Sequence, residues 1–163
     1  MKVVPIHLVI ALSPNTLAKG YNQPMCGGVK FKHDSKEMTV YFPNPKAVLP
    51  VRMKTGEPSL ITWGRRKEEQ GALPAGGWAR HESVLKGVWD KYFPKPVLIT
   101  VDQFMEKDKQ GTSHWYPLTT ATYIQGLIAN DRDEQRVYVV TITPEDEDHE
   151  EIHDRWPRIV NAL

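Results

Sequence analysis

Arg136-Val137-Tyr138-Val139-Val140-Thr141-Ile142 is a run of apolar and β-branched side chains with almost no polar alternation. That is the pattern of a strand buried at the centre of a sheet. A second run, residues 123–129, lies just upstream and reads as another strand. Working outward from these two, thirteen prolines and eleven glycines cut the chain into short apolar segments, which favours many short strands joined by turns. Residues 36–42, ending at Pro43-Asn44-Pro45, then 47–53, 59–63 and 97–101 supply further strands. Helix candidates are few. Residues 82–91 put Val84, Leu85 and Val88 near one face with Trp89 beside it. Pro144, followed by acids as far as Ile152, reads as a helix opened by proline with its acids in the first turn. The expected fold is α+β: a β-rich single domain of short strands, a barrel-like mixed sheet, with a few short helices.

At 163 residues the chain suits one domain and is short for two. Its single cysteine cannot form an internal disulfide, and no cysteines and histidines show zinc-finger spacing. Neither a metal nor another cofactor is expected, and a reducing, cytoplasmic setting fits. Residues 1–24 read as an N-terminal extension: an edge strand or propeptide, or a leader upstream of a natural start at Met25. The apolar stretch 3–12 is too short to span a membrane, and it lacks the cleavage pattern of a signal peptide. The domain is therefore residues 25–163, expected as a monomer without a membrane partner. Residues 25–100 carry thirteen Lys/Arg against seven Asp/Glu, whereas residues 101–163 carry six against thirteen. The basic part suits an anionic partner, although an ordinary solvated surface can segregate its signs in the same way.

Three groups of residues carry chemistry. Cys26 stands in Met25-Cys26-Gly27-Gly28, and an initiator methionine before a small residue is normally removed. A first-residue cysteine would offer an amine with a pKa of about 7.7–8.0 and a thiol near 8.5, both partly nucleophilic around neutral pH. The plain alternative is an inert, buried thiol. His153, within Ile152-His153-Asp154-Arg155, is either a proton shuttle or a satisfied core histidine. Glu106 falls two residues after Phe104 at the end of a strand, so the two share a face. It is either a half-buried general acid or an exposed partner of Lys107 or Lys109. Aromatic residues interleave with basic ones in Trp63-Gly64-Arg65-Arg66-Lys67 and in Trp78-Ala79-Arg80-His81, the composition of a surface that holds single strands by stacking and ion pairing. Tryptophans also build cores.

Taken in order, these pieces resemble the SOS-response-associated peptidase family, the abasic-site processing proteins, from Met25 to about Val160. Met25-Cys26-Gly27 matches the family's start, and Pro43-Asn44-Pro45 and Trp63-Gly64 follow. Ala79-Arg80-His81-Glu82 is similar to the end of Asn-Ala-Arg-Ser-Glu. Asp102-Gln103-Phe104-Met105-Glu106 is similar to Asp-Gly-Phe-Tyr-Glu, and Ile152-His153-Asp154-Arg155-Trp156-Pro157 to Ile-His-Asp-Arg-Met-Pro. The resemblance implies that Cys26 forms a thiazolidine with abasic sites in single-stranded DNA, assisted by Glu106 and His153. It also implies removal of the residues before Cys26, and DNA contacts at Arg80, Trp63, Pro45 and Thr143. Trp78 replaces the family's Asn, and Gly28 replaces an Arg whose phosphate contact Lys30 or Lys32 would supply. Two other readings stay open: a non-covalent single-strand binder with a structural cysteine, and a thiol peptidase acting in trans.

Overall fold

The computed structural model describes residues 27–144 and 155–162. The chain is β-rich. Its strands are β1 (Gly28–His33), β2 (Lys36–Tyr41), β3 (Val48–Arg52), β4 (Pro58–Thr62), β5 (Trp78–Arg80), β6 (Lys95–Ile99), β7 (Gln103–Lys107), β8 (Ser113–Pro117), β9 (Thr122–Asp131), β10 (Glu134–Ile142), β11 (Trp156–Pro157) and β12 (Ile159–Asn161). Among the described residues the only helical pieces are α1 (His81–Leu85) and a single 3-10 turn, Asp90–Tyr92.

Two sheets form. One is a four-stranded antiparallel sheet in the order β2-β1-β7-β8; the other runs β11-β10-β9-β6-β3-β4, with β12 added to β9 and β5 to β10. The β5–β10 pairing is parallel, so the larger sheet is mixed. A parallel bridge between Trp63 and Val137 carries the end of β4 back to β10 and curls this sheet towards a barrel. The run quoted first behaves as its composition requires, since Val137, Tyr138, Val139, Val140 and Thr141 are all buried. Both sheets contribute to one apolar cluster: Val29, Phe31 and Phe104 from the smaller, Leu49, Val51, Ile61, Ile124 and Val139 from the larger.

The expected helix over residues 82–91 is cut to a single five-residue piece. Gly87, at φ +80°, takes the left-handed conformation that ends a helix. Leu85 and Val88, expected on its inner face, are 74% and 59% exposed, while Trp89 turns inward against Tyr138. The expected helix after Pro144 lies outside the described residues, as does the extension 1–24.

Candidate active site

Glu106 is the most unusual side chain of the described chain. Strand β7 is flanked on one side by β1, with Gly28 opposite Met105, and on the other by β8, with His114 opposite Glu106. Because strand side chains alternate, Phe104 and Glu106 both face inward. Phe104 stacks on Tyr116 at 5.5 Å and meets Trp156 edge-on at 5.1 Å. Glu106, enclosed on the same face, has no exposed surface, and neither carboxyl oxygen has a hydrogen-bond partner among the described residues. Removal from water penalises its charged form, and burial pushes the carboxyl up to about 10. At neutral pH it is therefore a carboxylic acid, with a proton to donate and no charge. Such a group costs stability, and sites of this kind concentrate at chemistry.

Cys26 and His153 lie outside the described residues, but the chain next to each is anchored. Gly27, covalently joined to Cys26, is buried; its N–H donates to the Met105 carbonyl at 3.0 Å, and its own carbonyl accepts the Phe42 N–H at 3.1 Å. The covalent neighbour of Cys26 is thus tied to the residue beside Glu106. On the other side, Arg155 follows His153-Asp154 and is only 4% exposed. Its guanidinium donates to both Glu82 oxygens at 2.7 and 3.0 Å, to the Thr141 carbonyl at 2.6 Å and to Thr143 Oγ1 at 3.1 Å. The hydrogen bond from Arg155 holds the Glu82 carboxyl below its ordinary range. Trp156, next in the chain, puts its ring on Phe104, which brings this segment against β7.

The expected DNA contacts divide. Arg80, Pro45 and Thr143 are exposed. Arg80 stands opposite Thr141 in the β5–β10 register, so it shares the end of β10 with Thr143. Lys30 is half-buried with its ammonium 4.2 Å above the Trp115 ring. Trp78 is half-buried against Phe42, with ring centroids 4.9 Å apart. Trp63 is a correction: it has no exposed surface, its Nε1 donates to the Gly77 carbonyl, and it cannot stack on a base. Its basic neighbours turn inward as well. Arg66 is 4% exposed and donates to the carbonyls of Pro43, Trp63 and Gly64, while Arg65 donates to Leu73 and Glu69.

Two features went unread in the sequence. The Arg155–Glu82 clamp joins two segments 73 positions apart, and only the charged residues inside each hinted at it. His114, on the face of Glu106 by register, binds Asp108 at 2.8 Å and has no marker in the sequence. Among the described residues no group of three or more His, Cys, Asp or Glu gathers as a metal site. Comparisons of the chain with family models, with curated proteins and with solved structures found no match.

Proposed function

We propose that this chain captures abasic sites in single-stranded DNA, using Cys26 with its amine freed by removal of the residues before it. The supporting observation is Glu106, a buried carboxyl with no hydrogen-bond partner among the described residues, held protonated by burial on the strand that binds Gly27, the residue next to Cys26. An apolar socket with one proton donor suits the condensation of an amine with an aldehyde.

The steps balance. The Cys26 amine adds to the aldehyde carbon of the ring-opened sugar. Glu106 protonates the resulting hydroxyl, which leaves as water and yields a cationic imine beside the new carboxylate. That charge pair forms where little water competes, so each charge stabilises the other. The thiol sulfur then attacks the imine carbon, closing a five-membered thiazolidine, and its proton returns to the carboxylate. Sugar and aminothiol combine with loss of one water, and no cofactor is consumed. His153 would assist proton movement, and Arg80 and Thr143 would meet the strand at the end of β10. The compartment in this reading is the cytoplasm; among the described residues no helix is long and apolar enough to cross a membrane.

The test incubates the protein beginning at Cys26 with a single-stranded oligonucleotide carrying one abasic site, followed by denaturing electrophoresis. An adduct is expected that disappears in Cys26→Ala and when residues 1–24 are retained. An adduct formed with the extension in place, or by Cys26→Ala, would refute the terminal-amine mechanism.

A further inference from the structure

The four-stranded sheet has a second face, opposite Glu106. Strand alternation and the pairing register assign to it Gly28, Lys30 and Lys32 of β1, Glu37, Thr39 and Tyr41 of β2, Gln103, Met105 and Lys107 of β7, and Ser113, Trp115 and Pro117 of β8. One row crosses all four strands: Tyr41, Gly28, Met105, Trp115. Strands lie about 4.8 Å apart, so the backbones at the ends of this row are about 14 Å apart. Even so, the Tyr41 and Trp115 rings meet edge-to-face with centroids 6.2 Å apart. They lean towards each other over the row's centre, and Met105 beneath them is 4% exposed.

Gly28 makes this possible. A Cβ placed there would lie 3.0 Å from the Tyr41 ring and 3.3 Å from that of Trp115, so any side chain would push the rings apart. An arginine cannot occupy this position with the rings as they stand. The cation instead comes from the next row, where Lys30 reaches over Trp115 at 4.2 Å. Lys32 and Lys107 add two more positive charges to the face against one carboxylate, Glu37.

We infer that this open face, with Tyr41 and Trp115 as stacking surfaces and Lys30, Lys32 and Lys107 as phosphate contacts, binds single-stranded DNA. Aromatic rings take unpaired bases without regard to sequence, while lysines track the backbone. Tyr41 is 49% exposed and so presents ring surface to a base. A base arriving on Trp115 displaces the flexible Lys30 chain, whose ammonium then meets a phosphate. No Leu, Ile or Val lies on this face, so it lacks the aliphatic surface of a protein-docking site, and its excess of cations favours a polyanion. The surface extends the abasic-site reading, shares Lys30 and Lys32 with it, and adds Tyr41, Trp115 and Lys107.

The test measures binding of a fluorescent, undamaged oligo-dT to the whole chain by anisotropy, alongside quenching of tryptophan fluorescence. Tyr41→Ala and Trp115→Ala should each weaken binding about 5- to 150-fold, the range of one lost stacking contact. Lys30→Gln should lower the slope of log affinity against log salt by about 0.7. Tyr41→Ala, altering a half-exposed side chain, guards against misfolding of the Trp115 variant. Unchanged affinity in Tyr41→Ala and Lys30→Gln, tighter binding of duplex or of oligo-U, or equal competition by poly-glutamate would each overturn the assignment. Stacking-dependent binding without any abasic adduct would sink only the covalent chemistry; an adduct with aromatic variants unaffected would sink only this surface.

Discussion

Replacing Glu106 with glutamine removes one titratable proton from a dry socket and leaves the shape nearly unchanged. In the folded chain burial lifts this carboxyl to about 10, against 4.5 for a free side chain. Between those values the native state holds a proton that the unfolded chain has released. Stability associated with the neutral carboxyl is therefore complete below about pH 4.5, declines as pH rises and is lost by about pH 10. Each pH unit in that window costs about 1.4 kcal/mol, or about 2.7 kcal/mol between pH 6 and pH 8. Glu106→Gln carries an unpaired amide instead, whose cost does not vary with pH. Urea denaturation of both proteins across this range should show the parent losing stability relative to the variant by about that amount, and other titrating groups cancel because both proteins share them. Differences that stay flat from pH 6 to pH 8 would refute the protonated carboxyl and with it the proton donor of the mechanism.

Trp63→Phe removes a buried indole and its bond to Gly77, so it should cost about 1–3 kcal/mol in chemical denaturation, while affinity for undamaged oligo-dT stays at the parent's value. Arg155→Ala strands the Thr141 carbonyl and frees the chain after His153; a loss of about 2–3 kcal/mol is expected, less than for a fully buried pair because Glu82 is 47% exposed. The Glu82 part of that clamp is present above the ordinary carboxylate range and fades on acidification, so the gap between parent and Arg155→Ala should narrow at low pH.

Order along the chain was enough for the long strands. The runs at 123–129 and 136–142 are largely apolar on both faces and rich in β-branched or aromatic side chains, as a strand covered on both sides requires; they correspond to Thr122–Asp131 and Glu134–Ile142. Alternation also put Phe104 and Glu106 on one face. The short strands Trp78–Arg80, Trp156–Pro157 and Ile159–Asn161 left no such mark, because two or three residues become strand only by pairing with β9 or β10. Spacing in the chain says which side chains share a face; which face is then covered depends on partners many residues away. Hence composition offered Trp63 as a platform, and the closing of β4 onto β10 buried it. Tyr41 and Trp115, 74 positions apart, met because two strands lie between theirs. The acidity of Glu106 was likewise beyond any local pattern, for this carboxyl keeps its proton at neutral pH because folding removes its water and no described residue returns a hydrogen bond.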